Sequence, residues 1–361
     1  MIYIFVGTKA QFIKMVPIMI ELKKRGISFK YIDSGQHAYL TSALRKIFKV
    51  GEPDSMLSSN ADDITRISRA FFWFGKNLVR SIFDRKWLKT DVFPQNGICL
   101  IHGDTLSSLL GAFMAILAGI KVCHIEAGLR SFNWLDPFPE EIIRLICMRF
   151  SDVLFAPSID AFENLKNLKV KGKIFLSNGN TVIDSIRYIK TEIASKNAIK
   201  EKYAVATCHR METISDPNKL ASVINLLNMT ARKISVVFVA HDPTLKYLYK
   251  FKLSEKISRK ILIKNLMDYP EFLSLITLSE FVLTDGGSIQ EECAFLNKKC
   301  LIIRNRSERK DGIGRNAMVW EFDADKARRF LNWKIPGDKC DYSSIFPSER
   351  IVDYLLSSNC L

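Results

Sequence analysis

Several segments place ionisable side chains directly after short apolar runs. Asp104 stands in IHGDTLSSLLGAF, Glu126 in HIEAGLRS, and Glu140 and Glu141 in PFPEEIIR, while His209 and Arg210 stand in ATCHRMET. Carboxylates that converge from successive segments push each other's pKa values apart, which permits one acid and one base in a single site. Arg144 follows the Glu pair by three to four residues, on the same face of a helix. Taken singly, each has a plainer reading. Asp104 before Thr105 is a good helix cap, and Glu140 and Glu141 complement a helix dipole.

A second set of residues suits an anion. GTKAQFIKMVP runs from a strand through a tight turn into a helix, and it carries Lys9 and Lys14. LTDGGSIQEECAF repeats that grammar: glycines at a helix N-terminus expose backbone N–H groups to phosphate, and a carboxylate one turn in, on the helix that carries Gln290, Glu291 and Glu292, can bind ribose hydroxyls. IIRNRSERKDGIGR adds Arg304, Glu308 and Arg309 beside that turn. Ordinary strand-to-helix loops with solvated lysines and a capping serine read almost the same way. No GxxxxGK[ST], no strand–GxGxxG–helix, no HExxH, no GxSxG and no Cys/His cluster occurs, so metal, serine-hydrolase and redox-cofactor readings drop out. The expectation is an enzyme with no cofactor and no metal.

These side chains need elements to hold them. Apolar runs at 2–7, 29–35, 97–103, 121–127, 153–158 and 173–179 predict one series of strands. Runs at 203–209, 234–241, 260–265, 281–285 and 298–304 predict a second. Helical patterns lie between them, which means βαβ units and parallel sheets covered on both faces. The fold class is α/β, with two doubly wound Rossmann-like domains. Residues 1–177 are expected to hold the acid/base groups and residues 178–340 the phosphate-binding half, with the polar KTEIASKNAIKEK as the connection. Residues 341–361 supply a final helix, and its sequence alone does not decide whether it returns to the first domain. Ligands of such sheets sit at the carboxyl ends of strands, where His37, His102, His124, His209 and His241 all fall.

The chain has 361 residues, 48% of them hydrophobic, and a net charge of +15, which excludes a disordered or low-complexity protein. Such a charge favours an anionic partner: a nucleotide-sugar phosphate, nucleic acid or an acidic membrane surface. Eight cysteines without a CxxC pair read as buried thiols in a reducing compartment. The opening MIYIFVG reads as a strand and not as a leader, and no apolar stretch is long enough to cross a membrane. A cytoplasmic protein is expected. Residues 64–89 are basic and strongly aromatic, with Phe71, Phe72, Trp73, Phe74, Phe83 and Trp87 among lysines and arginines. A helix packed on the sheet or on a dimer partner explains them first, and peripheral contact with the inner face of a membrane second.

In order, GTKAQFIKMVP, SGQH, HGDT, HIEAGLRS, PFPEEIIR, NGNTVID, CHRMET, TDGGSIQEE and ERKDG resemble the non-hydrolysing UDP-N-acetylglucosamine 2-epimerases, from residue 7 to about 315. The resemblance implies GT-B architecture with UDP in the cleft between two Rossmann domains. It also implies epimerisation at C2 by elimination and re-addition of UDP, for surface polysaccharide synthesis. Asp104, Glu126 and Glu140 then take acid, base or stabilising roles, with His209 near the diphosphate. Lys9, Lys14, Arg144, Arg210 and Arg309 support substrate and phosphate charge, Gly287 and Ser288 hold phosphate, and Glu292 holds ribose. The substrate partner is a UDP-sugar and the expected assembly a homodimer. Where the family usually has Arg, Pro and Glu, this chain has Lys9, Ala10 and Gln11, so the phosphate grip is altered. A GT-B glycosyltransferase with a nucleotide-sugar donor and a membrane-associated acceptor is the alternative. A nucleic-acid-binding protein ranks below both, because no recognition motif accompanies the charge.

Overall fold

A computed structural model describes residues 1–58, 63–64, 67–134, 138–193, 201–307, 309–335 and 342–357. The chain divides into two compact units, Met1–Arg187 with Ile345–Leu361, and Tyr188–Ser344. Residues 194–200 of the expected connection, together with Glu308, lie outside the described residues.

The first unit is built on a parallel sheet of β1 (Ile2–Val6), β2 (Phe29–Asp33), β3 (Ser55–Met56), β4 (Ile98–His102), β5 (Lys121–Ile125), β6 (Val153–Ala156) and β7 (Lys173–Leu176). Its strand order is β3-β2-β1-β4-β5-β6-β7. The second unit carries β8 (Tyr203–Thr207), β9 (Ser235–Val239), β10 (Ile261–Lys264), β11 (Phe281–Thr284), β12 (Lys299–Ile302) and β13 (Ala317–Val319), in the order β10-β9-β8-β11-β12-β13. The chain winds outward from β1 in one direction and from β4 in the other, and β8 and β11 repeat the pattern. Each sheet therefore has one topological switch point, where a crevice opens at the strand carboxyl ends.

The central strands β1, β4 and β8 are buried at every residue, which is why their sequences run continuously apolar instead of alternating. Every predicted strand is present. The two elements missed, β3 and β13, are edge strands of two and three residues, too short to show a period.

Helices start where the sequence provides caps. Thr8 caps the helix Lys9–Lys24 and Thr105 the helix Leu106–Ala118, each in a reciprocal capping box. Gly119 closes the latter at φ 81°, a left-handed conformation that costs glycine little. The unit boundary falls ten residues beyond the expected 177/178, and the reason is local. Thr181 donates to Lys14 O and Ser185 to Ile13 O, which ties the start of the helix Val182–Ile193 to the first unit. The final helix, Pro347–Ser357, packs on the Lys9–Lys24 helix, with Arg25 paired to Asp353 and the Tyr354 ring 4.6 Å from Phe175.

Candidate functional site

In the first unit the switch-point strands end in polar residues. β1 leads into Gly7 and Thr8, β4 into Gly103 and Asp104, and β5 into Glu126. A Cβ on Gly7 would lie 1.9 Å from Ser107 Oγ and 2.2 Å from Ser34 Oγ, so glycine is needed there for the turn to pack. Glu126 has φ 65°, in the left-handed region that costs a non-glycine residue of order 1 kcal/mol or more. The surroundings hold it there. Lys14 Nζ lies 2.6 Å from Glu126 Oε1, Asn180 Nδ2 donates to the same oxygen at 2.5 Å, and His102 Nε2 stands 3.4 Å from Oε2. All four residues are buried, so Lys14 is the counter-ion of a buried carboxylate rather than a solvated cation on a loop.

Asp104 is more open and pairs with Arg144, whose other side meets Glu141 at 2.5 Å. Glu141 also accepts from Arg130 and from the backbone N–H of Ser131. Of the two adjacent carboxylates in the helix Glu140–Phe150, Glu141 is fully buried and organises the arginines, while Glu140 stands half-buried. Behind them His124 is completely buried, and burial lowers its pKa to about 4 against the pull of Gly103 O, Asp104 and Glu126. The imidazole is therefore neutral at pH 7, and its Nε2–H donates to Gly103 O at 2.8 Å, bracing the turn that carries Asp104.

Gln11 does work that its sequence position did not reveal. Its Oε1 accepts from Gly7 N and Thr8 N at 3.0 Å each, and its Nε2 donates to His102 O and to Ser108 Oγ. One buried amide thus ties the β1 turn to the end of β4.

In the second unit β8 and β11 end side by side. Asp285 Oδ2 accepts from the backbone N–H groups of His209 and Arg210 at 2.8 Å each, and Oδ1 lies 3.1 Å from His209 Nδ1. The His209 ring stacks on His241 with centroids 4.7 Å apart. A fully buried carboxylate thus fixes the loop through two backbone N–H groups and stands beside the imidazole.

Gly286 is the N-cap of the helix Gly287–Phe295, so the N–H groups of Gly287 and Ser288 belong to its first turn, where helical partners are lacking and anions are favoured. Gln290 Nε2 donates to Arg309 O and Asp311 O, which holds the arginine-bearing loop against that helix. Arg309 pairs with Glu291, and Glu292 accepts from Tyr269 at 3.0 Å. The structure thus gathers Asp104, Glu126, Lys14 and Arg144 in one unit, and His209, Arg210, Gly287, Ser288, Glu292 and Arg309 in the other. Lys9 opens its helix half-buried. Asn180, Glu141 and Asp285 are the residues whose part the sequence reading missed.

A family model described as UDP-N-acetylglucosamine 2-epimerase matches residues 20–329. A UDP-N-acetylglucosamine 2-epimerase of Campylobacter jejuni is 30% identical over 337 residues, covering 86% of this chain and 83% of that protein. A UDP-2,3-diacetamido-2,3-dideoxy-D-glucuronate 2-epimerase of Pseudomonas aeruginosa is 32% identical over 265 residues, 71% of this chain and 73% of that one. The crystal structure of the Methanocaldococcus jannaschii UDP-GlcNAc 2-epimerase in complex with UDP-GlcNAc and UDP matches with a TM-score of 0.81 at 26% identity, covering 98% of this chain and 99% of that one.

Proposed function

The chain belongs to the UDP-N-acetylglucosamine 2-epimerase family, and from that premise we propose that it interconverts UDP-GlcNAc and UDP-ManNAc, or a related UDP-amino sugar, for surface polysaccharide synthesis. The relatives described above are epimerases, and the glycosyltransferase reading is set aside.

The hydrogen at C2 of such a sugar has no adjoining carbonyl and is not acidic. A base takes the C2 proton while the C1–O bond breaks and its electron pair leaves with UDP, giving a glycal. A proton then returns to the opposite face of C2 as UDP oxygen re-attacks C1. The chemistry needs carboxylates at the sugar and cations or N–H donors at the diphosphate, and no resident cofactor. In this proposal Asp104, Glu126 and Glu140 serve the sugar, with Arg144 holding Asp104 in place through their ion pair. Arg210, Arg309, Lys9 and the Gly287–Ser288 backbone serve the phosphates. Standing beside Asp285, His209 supplies a proton or hydrogen bond to the departing diphosphate, and Glu292 meets the ribose. The observation that carries the reading is the buried, strained Glu126 held by Lys14, Asn180 and His102 at the end of β5.

Incubation with UDP-GlcNAc in deuterated water is expected to yield the manno epimer with deuterium at C2 and without any acceptor. Turnover that leaves C2 unlabelled would overturn the elimination route. A UDP-2,3-diacetamido sugar acid assayed in parallel decides between the two substrate types named for the relatives.

We further propose a homodimer. Residues 64–89 do not form a single helix: Ile67–Phe83 is followed by a short turn at Arg85–Trp87 and a wider one at Leu88–Val92. Trp73, Leu88 and Val92 face the core, while Phe72 and Phe83 are 76% and 83% exposed. Ile116 and Phe150, on the next two helices of the same layer, are exposed as well. Apolar side chains spread over three neighbouring helices form a broad face suited to a second copy, and a two-fold contact needs only one such patch. Phe72→Glu with Phe83→Glu is expected to give monomers in sedimentation velocity. Wild-type monomers that float with acidic vesicles would replace the dimer with peripheral membrane contact. No helix among the described residues is long and apolar enough to cross a membrane. The six described cysteines are buried free thiols, which supports placing the enzyme in the cytoplasm.

A further inference from the structure

The second unit has another basic feature, at the end of its sheet away from His209 and Asp285. Lys202 precedes β8, Lys233 precedes β9, Glu280 precedes β11 and Lys299 opens β12, so the four lie at the amino ends of neighbouring parallel strands. With Trp333 and Lys334 they line a groove of about 510 Å³. Lys299 sits half-buried within it. Its Nζ donates to Trp333 O at 2.7 Å and lies 4.5 Å from the Phe330 ring centre and 5.4 Å from that of Phe281.

Four lysines face one carboxylate, Glu280, which stands 3.5 Å from Lys202. Burial, reinforced by the charge of Lys233, lowers the Lys299 pKa to about 8. Cations crowded into a concavity repel one another, and an anion placed among them relieves that repulsion. The walls are apolar and aromatic, with Phe281, Leu331 and the Trp333 indole, so the groove suits an anion that carries an organic portion.

We propose that this groove binds a phosphate or diphosphate ester, with Lys233, Lys299 and Lys334 on the phosphate oxygens and Trp333 against the organic portion. The site is distinct from the diphosphate position at the Gly287 helix, because it occupies the opposite ends of the same strands.

The test is calorimetric titration of the full chain with inorganic pyrophosphate in saturating UDP, which occupies the other diphosphate position. One saturable site is expected, weakened about tenfold by Lys233→Ala and by Lys299→Met, as the loss of one charged contact implies. Met fits the apolar surroundings of Lys299, and unchanged turnover shows that both variants fold. Sedimentation with phosphatidylcholine vesicles, with and without phosphatidic acid, separates the sources. Pyrophosphate binding alone identifies a free phosphate ester, and co-sedimentation with the acidic vesicles that both variants abolish identifies a lipid headgroup. No binding in either arm, or binding equal to wild type in both variants, overturns the proposal.

Discussion

Glu126→Gln is expected to lower turnover by roughly 10²–10⁴-fold while UDP still binds, because the substitution removes a proton-transferring carboxylate and keeps its shape. The proposed UDP contacts lie in the second unit and at Lys9, and the substitution changes none of those residues. The change has a structural side as well. Lys14 is 3% exposed, and breaking its buried ion pair with Glu126 costs about 3–5 kcal/mol. Pairing the substitution with Lys14→Met removes that charge too, so the double variant is expected to recover stability. Activity is expected to stay low. Recovery of both would make Glu126 a structural residue, and full turnover in Glu126→Gln alone would remove it from the chemistry. Thermal unfolding and the C2-deuterium assay, run on the same three variants, read the two effects separately.

What the sequence shows of this site follows from how far apart the interacting residues lie. Apolar runs are local, so β1, β4, β5, β8 and β11 are visible, and with them the strand ends that carry Gly7, Asp104, Glu126, His209 and Asp285. Partners are not local. The counter-ion of Glu126 lies 112 residues before it and its amide donor 54 after it, and only the strand order brings them together. Neighbouring positions on a helix differ by about 100°, so PEEIIR announces a carboxylate at the helix start without telling whether Glu140 or Glu141 turns inward. Gln11 is the sharpest case. As a departure from the family pattern it reads as a loss of charge, yet its amide joins two switch-point turns.

That distinction between Glu140 and Glu141 has a measurable consequence. Glu141→Gln is expected to destabilise the protein by about 3–5 kcal/mol at pH 7, because it strips the shared anion from Arg130 and Arg144, both largely buried. Glu140→Gln, half-buried at the same helix start, is expected to destabilise less than Glu141→Gln and to act on turnover instead. Burial of Glu141 pushes its pKa up, but the hydrogen bonds from Arg130 and Ser131 and the charge of Arg144 outweigh burial and leave it lowered. A lowered carboxylate stabilises the fold above its unfolded pKa of about 4.3, and that stability is lost as pH falls through the folded value. The gap between wild type and Glu141→Gln should therefore be widest near neutrality and close below about pH 4 in urea unfolding curves. A gap that stays constant from pH 7 down to acid would mean that Glu141 contributes shape rather than charge.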